Sequence, residues 1–177
     1  EIKILSLQNL GQIIFTAIAE KEIQFASHNP DLLEIARAVN ISNELKKTNG
    51  DYLFVVNTSL SGNKSDRFCE NQISHSSEIT ETGEIFNELK ILRKHNWNTA
   101  AEHKLEKLAQ DFGIHLPENL KEILGRGRNV DLMKVFVPLG SELISVDGIP
   151  QKSVETYESH GKTYFSFSLT TQPKFSR

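Results

Sequence analysis

The chain has 177 residues and a formal net charge of -3, and 38% of its residues are hydrophobic and 24% charged. That length accommodates one domain or two small ones with a sizeable core, and the composition is typical of a globular protein. The slightly acidic balance argues against a nucleic-acid partner, which requires a basic patch. No stretch approaches the ~20 apolar residues of a membrane span, so we expect membrane attachment only through an anchor outside this sequence.

Cys69 is the single cysteine, which excludes an internal disulfide. A lone cysteine is compatible with a cytosolic protein and with an exported protein built without disulfides. Two roles remain open for this side chain, a catalytic thiol or a small buried apolar group, and the second is the commoner.

The first third of the chain predicts alternating helices and strands. Apolar residues at helical spacing over 7–18 indicate a first helix, and a short strand follows at 23–26. Pro30 suits the first turn of a second helix. The continuous apolar run 52–56 predicts a strand covered on both faces. We therefore assign residues 1–66 to an α/β portion, the end of a larger upstream domain.

After Asp66 the sequence changes to short strand patterns separated by turn signals. A hairpin is predicted from the runs 72–80 and 85–92. Further strands are predicted at 133–137, 143–146, 153–158 and 163–169, with a turn at His160-Gly161. Several short strands of this kind favour a β-sandwich-like module, here over residues 67–177.

A helical pair interrupts this β-rich region. Thr99-Ala-Ala-Glu102 has the pattern of a capping box, and an apolar stripe follows it to Phe112. Leu116-Pro117-Glu118 begins the second helix. We interpret residues 97–125 as an insertion between two strands of one β module, and the predicted fold class of the whole chain is α+β.

Four short motifs carry a family resemblance. They are Asp51-Tyr-Leu-Phe-Val-Val-Asn57, Gly62-Asn-Lys-Ser-Asp66, Val135-Phe-Val-Pro-Leu-Gly-Ser-Glu-Leu143 and Gly161-Lys-Thr-Tyr-Phe165. In that order they resemble the C-terminal part of a bacterial family, the domain of unknown function numbered four-zero-one-two. The resemblance covers roughly residues 18–170 outside the helical pair. The helical pair departs from the family pattern, and the final strand expected after Pro173 is missing.

The resemblance implies an exported protein, held at the cell surface by an N-terminal membrane helix. Both ends of the sequence look cut, so we expect a signal or anchor to lie outside it. The resemblance implies no established activity, and therefore no catalytic residues. A distant kinship to the LytR-CpsA-Psr cell-wall ligases would place any such chemistry upstream of Glu1.

The strongest polar cluster for binding runs from Asn57 to Arg67. Gly62 lets the backbone turn freely, and successive amides after it could form a nest for phosphate or an acidic glycan. The candidate ligand-binding residues are Asn57, Asn63, Lys64, Asp66 and Arg67. The alternative is a polar loop in which Ser65 or Asp66 caps a short turn.

Other candidate groups also have two interpretations. Arg126-Gly127-Arg128 could grip a phosphate, or could complement the dipole at a helix C-terminus. Trp97 could stack on a sugar, or could pack against the adjacent helix. The six histidines lack metal-ligand spacing and no GxSxG motif is present, so we predict no metal, no cofactor and no catalytic residues.

These patterns predict a non-enzymatic, extracytoplasmic module of the bacterial envelope. It would be structural, or would bind an envelope glycan or another surface protein. Two alternatives remain open. One is the C-terminal portion of an envelope-polymer transferase, with the 57–67 loop contacting phosphate, and the other is a cytosolic scaffold.

Overall fold

The computed structural model describes residues 7–20, 22–42, 44–48 and 50–174. These residues form helices and antiparallel sheets, so the fold class is α+β, as predicted. The chain divides into two compact units, Glu1–Thr48 and Asn49–Arg177. Among the described residues, no helix has the length and hydropathy that crossing a bilayer requires.

Among its described residues, the first unit has two helices, α1 (Leu7–Ala19) and α2 (Pro30–Ala38). Asn29 caps α2, because its Oδ1 accepts hydrogen bonds from the backbone N–H groups of Asp31 and Leu32 at 2.9 and 3.3 Å. Both predicted helices are confirmed. The predicted strand at 23–26 is wrong, since only a single parallel bridge between Phe25 and Ser42 forms there.

The described part of the second unit contains six strands. They are β1 (Phe54–Ser59), β2 (Cys69–Ile79), β3 (Ile85–His95), β4 (Asn129–Pro138), β5 (Glu155–Ser159) and β6 (Lys162–Thr171). The order β1-β4-β6-β5 makes a four-stranded antiparallel sheet, and β2 and β3 make a separate two-stranded sheet. A sandwich-like packing of these two sheets stays a prediction.

The strand β1 differs from its prediction. It begins at Phe54 and lies at the edge of the sheet, paired with β4 alone. None of its six residues is buried, so the expectation of cover on both faces is wrong. It belongs to the second unit, whereas the sequence placed the division after Asp66. A continuous apolar run has the same appearance in an edge strand as in a central one.

The central strand β4 carries the core of the sheet. Alternate residues from Asn129 to Val135 are buried, as the two-residue period of a strand requires. Met133 is fully inaccessible to solvent, and Val135 and Phe165 are also buried on this face. The opposite face of β4 is only partly covered.

The predicted hairpin is confirmed, with β2 and β3 paired residue for residue from Cys69–His95 to Ile79–Ile85. Its turn is closed by Thr80 N donating to Glu84 O at 2.9 Å, and Gly83 adopts a φ of 85°. Positive φ at this position matches the three-residue loop that ends in a bulge. The predicted turn at His160-Gly161 is also confirmed, since both residues have positive φ.

The segment 143–146 forms no strand, so that prediction is wrong. The chain leaves the sheet at Pro138 and turns through Gly140, which has a φ of 83°. Thr163 Oγ1 accepts a hydrogen bond from Gly140 N at 2.9 Å, which fixes this exit. The apolar residues that follow meet no partner strand.

The helical pair consists of α3 (Thr99–Asp111) and α4 (Glu118–Lys121), followed by a wider helical turn at Glu122–Arg126. The N-cap of α3 is Asn98, not Thr99, since Asn98 Oδ1 accepts from Ala101 N at 3.0 Å. The two helices connect β3 to β4. They therefore lie between two strands of the same unit, as predicted for one module, and those two strands belong to different sheets.

Candidate functional site

The predicted anion loop does not gather into one cluster. Asn57 is an exposed residue of β1 opposite Met133, whereas the other candidates surround the short helical turn Ser65–Phe68. Asn63 organises that turn. Its Oδ1 accepts from Ser65 N at 3.0 Å and from Ser65 Oγ at 2.5 Å, and its Nδ2 donates to Arg128 O at 3.1 Å.

The amides proposed for the nest already have acceptors within the protein. Lys64 N donates to Ile123 O at 2.7 Å, and Ser65 N donates to Asn63. An amide bonded in this way is not free to bind an anion, so the polar-loop alternative fits this backbone better. The Arg67 guanidinium lies 5.2 Å from the centre of the Phe68 ring. Anion binding by the exposed Lys64 side chain stays a prediction.

Asp66 belongs to a network around Arg93 of β3. The Arg93 side chain is only 3% exposed, and its Nη2 contacts Asp66 Oδ1 at 2.5 Å. Nη1 donates to Asn71 Oδ1 at 2.8 Å, Nη2 donates to Asn129 Oδ1 at 3.0 Å, and Nε lies 2.6 Å from Asp131 Oδ2. One guanidinium thus connects the hairpin to β4 and to the turn at Ser65–Phe68.

Asp131 is the least satisfied member of this network. The carboxylate is fully buried, and its short contact with Arg93 is poorly directed, so neither oxygen accepts a well-formed hydrogen bond. Burial raises the pKa of Asp131, the charge of Arg93 opposes that rise, and the negative charge of Asp66 adds to it. These neighbours connect the strands around a carboxylate that solvent does not reach.

His95 and Trp97 are structural. Trp97 N donates to His95 Nδ1 at 3.2 Å, so the proton of the imidazole lies on Nε2, which donates to Gly127 O at 3.0 Å. The Trp97 ring is buried and meets Phe68 edge-on at 4.7 Å. Because it is buried, Trp97 cannot stack on an external sugar, and the packing interpretation fits.

Cys69 is half-buried at the base of the hairpin. Burial raises the pKa of its thiol, and the charge of Arg93 opposes this only in part. A thiol that is harder to ionise is a poorer nucleophile at neutral pH, which favours the packing role over the catalytic one.

The helical pair is held by two cations placed among four carboxylates. Lys121 Nζ lies 3.0, 2.5 and 2.9 Å from the carboxylates of Glu102, Glu106 and Glu118, and Arg126 lies 2.6, 2.7 and 3.4 Å from those of Glu118, Glu122 and Glu102. Hydrogen bonds from Lys121 lower the pKa of Glu102 and of Glu118. The Trp97 indole also lowers the pKa of Glu102, and by the smallest amount, although its Nε1 has no acceptor in good hydrogen-bond geometry. Arg126, which the sequence offered as a phosphate contact, already forms ion pairs with three of these carboxylates.

A row of four aromatic side chains crosses the four-stranded sheet, one from each strand. We refer to Phe54, Phe136, Tyr164 and Tyr157, in that order, as the aromatic row. Each ring is directly opposite the next in the strand register. The ring centroids are 6.3, 4.9 and 5.2 Å apart, close to the separation of neighbouring strands.

The aromatic row lies on the face of the sheet opposite Met133 and Val135, since Phe136 alternates with them along β4. The two end rings are the most open, with Phe54 45% exposed and Tyr157 44% exposed. The inner rings are half-buried and stack against their neighbours. The row is therefore a continuous aromatic surface with an accessible ring at each end.

Polar groups flank the aromatic row. Lys134 Nζ lies 5.3 Å from the centre of the Tyr164 ring, and Tyr157 donates its hydroxyl to Glu155 Oε2 at 2.8 Å. That hydrogen bond raises the pKa of Tyr157. Lys162 is buried, with its ammonium 4.1 Å from the centre of the Tyr52 ring. Hydrogen-bonding groups of both charges thus lie beside the rings.

Sequence reasoning missed the aromatic row. Each ring falls in a predicted strand, at 52–56, 133–137, 153–158 or 163–169. The sequence did show one of these aromatic residues in each of four predicted strands. The register that aligns the rings depends on pairing between strands that are far apart in the chain, and no local pattern gives that pairing. Within the described ranges, no group of three or more His, Cys, Asp or Glu side chains is placed to hold a metal ion.

Comparisons with family models, with curated proteins and with solved structures give no match to this chain. The family resemblance of the four motifs stays a prediction. The candidate site therefore rests on the geometry of the aromatic row.

Proposed function

We propose that this chain is a non-enzymatic binding module whose aromatic row contacts an extended glycan of the bacterial envelope. The observation that carries the proposal is the row itself, with four rings in register across four strands and an open ring at each end. Aromatic side chains bury much surface in a contact while losing few rotamers, which suits a binding surface.

The chemistry of the row fits a sugar chain. Pyranose rings present C–H faces that pack on aromatic rings, and hydroxyl groups that require hydrogen-bond partners. Glu155 and the Tyr157 hydroxyl offer such partners at one end of the row, and Lys134 offers another near its middle. A small number of placed polar groups beside apolar surface is the usual composition of a ligand site.

A polyanion fits this surface less well. The chain carries a net charge of -3, and Glu155 adds negative charge at one end of the row. Lys162 is buried against the Tyr52 ring, so of these two lysines only Lys134 offers a charge that a ligand could contact. Binding to a phosphate backbone depends on several such free charges. A neutral linear glycan is therefore the ligand class that we propose.

The rigidity of the sheet supports this role. The aromatic row lies on one face of the sheet, and the opposite face packs around Met133 and Val135, both of which are buried. Cross-strand aromatic pairs each stabilise a sheet by roughly 0.2–1 kcal/mol. The rings are thus held in place before a ligand arrives, which lowers the entropy cost of binding.

Affinity electrophoresis in gels that contain neutral polysaccharides, with pull-down on purified cell-wall glycan, tests the proposal. We expect wild type to be retarded and bound. Tyr157→Ala and Phe54→Ala should each weaken binding by about tenfold, because each removes an open ring of the row. Phe112→Ala is the matched control, since Phe112 is exposed at the end of α3 and not in the sheet.

Two outcomes would reject the proposal. One is wild-type protein that no neutral glycan retards or binds. The other is an equal loss of binding in Phe112→Ala and in Tyr157→Ala, which would indicate nonspecific adhesion. Tyr157→Phe keeps the ring and removes the hydroxyl, so it separates stacking from the hydrogen bond to Glu155.

The proposed setting is the outer surface of the cell, where such glycans lie. This part of the proposal is supported by the resemblance of the four motifs to an exported family. A protease added to intact cells should therefore degrade the protein while a cytosolic marker stays whole. Survival of the protein until lysis would support the cytosolic scaffold instead.

A further inference from the structure

The outer edge of β3 is open along most of its length. Thr80 N donates to Glu84 O, so the pairs of even-numbered residues carry the hydrogen bonds between β2 and β3. The odd-numbered residues of β3 therefore direct their N–H and C=O groups to the other edge. Among the described residues, the one bridge on that edge joins His95, the last residue of β3, to Pro173. Such an edge is a template for another strand.

The sequence of β3 is complementary to itself when it runs antiparallel. The alternate residues from the turn onward are Glu84, Phe86, Glu88, Lys90, Leu92 and Lys94. A two-fold axis at Leu89 places Glu88 opposite Lys90 of a second copy and Phe86 opposite Leu92. It also places Glu84 opposite Lys94. Every facing pair on this side of the strand is then either oppositely charged or apolar.

The backbone geometry agrees with that register. With the axis at Leu89, the outward groups of Leu89 bond to those of Leu89 in the second copy, and Asn87 pairs with Ile91. The charged residues then occupy the pairs without hydrogen bonds, in which the Cα atoms approach to ~4.5 Å and the side chains are closest. The overlap ends at Lys94, one residue before the bridge at His95.

The four central side chains of this pairing are accessible. Phe86 and Leu92 are 46% and 53% exposed. Glu88 and Lys90 are exposed and contact each other at 3.1 Å, an ion pair that contributes little at the surface. These groups are free to exchange that contact for one with a second chain.

We propose that two copies of this chain associate through β3 to form one continuous sheet, in the order β2-β3-β3-β2. A two-stranded sheet is only marginally stable in water, and addition of strands stabilises it. A parallel arrangement in register would place Glu88 against Glu88, and an antiparallel shift by two residues would place Lys90 against Lys90 or Glu88 against Glu88. The antiparallel register centred on Leu89 avoids both.

Sedimentation velocity over a wide range of protein concentration tests this association. We expect wild type to dimerise with rising concentration. Glu88→Lys and Lys90→Glu should each weaken the dimer by about tenfold or more, because each creates two like-charged pairs related by the two-fold axis. The double variant E88K/K90E restores both opposite-charge pairs and should dimerise like wild type.

Glu78→Lys is the matched control, because Glu78 lies on β2, opposite Phe86, and away from the proposed edge. It should dimerise like wild type. Leu89→Pro removes an outward N–H, which an edge strand tolerates at such a position, and should leave a folded monomer. If Leu89→Pro fails to fold, the charge exchange still tests the proposal.

The proposal is overturned if wild type stays monomeric at every concentration. It is also overturned if neither single reversal weakens the dimer, or if E88K/K90E associates as weakly as the single variants. A dimer abolished by Tyr157→Ala and unaffected by Glu88→Lys would place the interface on the aromatic row instead. Glycan binding by the monomer is a separate measurement, so the two proposals fail independently.

Discussion

At the scale of single residues, Asp131 is the side chain whose environment least suits its charge. It is fully buried, its contact with Arg93 is poorly directed, and the charge of Asp66 is close by. A buried ion pair of this kind contributes little net stability, because desolvation offsets the attraction. Its value lies in fixing which strands meet, since Arg93 connects the hairpin to β4.

The raised pKa of Asp131 gives a pH-dependent effect with a definite sign. The folded state holds this proton more tightly than the unfolded state, so the contribution of Asp131 to stability falls as pH rises. That fall occurs between the ordinary Asp pKa and the raised folded value, and it is complete above the latter. The substitution Asp131→Asn removes this pH-dependent contribution, because asparagine does not titrate. The stability of this variant relative to wild type should therefore increase with pH across that window.

Urea unfolding at several pH values measures this difference in the free energy of unfolding. Leu132→Ala is the control, because Leu132 is the next residue on β4 and does not titrate. Its destabilisation should be the same at every pH. A constant difference between Asp131→Asn and wild type would mean that Asp131 is ionised as readily in the folded state as in the unfolded state.

At the residue scale, the sequence predicted the polar loop but not the contacts that the loop makes. Gly62 predicted a turn, with Ser65 or Asp66 as its cap, and the turn forms. The side chain that accepts the backbone amide there is Asn63 instead. The acceptor for the Lys64 amide is Ile123, about sixty residues away in sequence, so no local pattern indicates that this amide is occupied. The role of Arg93 was missed for the same reason, because its partners come from three separate segments, the turn at Ser65–Phe68, β2 and β4.

At the scale of elements, local patterns predicted local structure well. The helices α1, α2 and α3 and the hairpin follow from apolar spacing and turn residues. The segment 143–146 has a strand-like pattern but forms none. Whether a short apolar run becomes a strand depends on an available neighbour, which the sequence does not specify.

The shortest helix shows how tertiary contacts replace intrinsic propensity. The four residues of α4 are too few to be helical in isolation. Lys121 connects this turn to Glu102 and Glu106 of α3, and Gly125 leaves room for the Phe68 ring where a Cβ would overlap it. A substitution at Gly125 is disfavoured also by its φ of 152°. Helix formation here is a consequence of packing.

The aromatic row belongs to the same scale, because it is a property of strand register. Each ring is unremarkable within its own strand, and only the pairings β1-β4-β6-β5 align the four. A one-residue slip in any pairing would send that strand's ring to the other face. The proposed function therefore could not be derived before the sheet order was known.

At the scale of the whole molecule, the division after Thr48 separates two very different parts. The second unit contains all six strands, the helical pair and, within the described residues, every buried apolar side chain except Ala36. A unit with its own core can in general fold alone. We therefore expect the 49–177 fragment to fold without the residues that precede it.

Trp97 makes this expectation measurable, because it is the only tryptophan of the chain and is buried in the second unit. Its emission should be equally blue-shifted in the full chain and in the 49–177 fragment. Urea unfolding followed at Trp97 should give the same midpoint in both, since Phe68 and Gly125, which lie against the indole, belong to the second unit. Phe68→Ala, made in the fragment and in the full chain, should lower the midpoint equally in both because it removes the edge contact. A fragment with red-shifted emission, or with a midpoint well below that of the full chain, would show that the first unit contributes to the stability of the second.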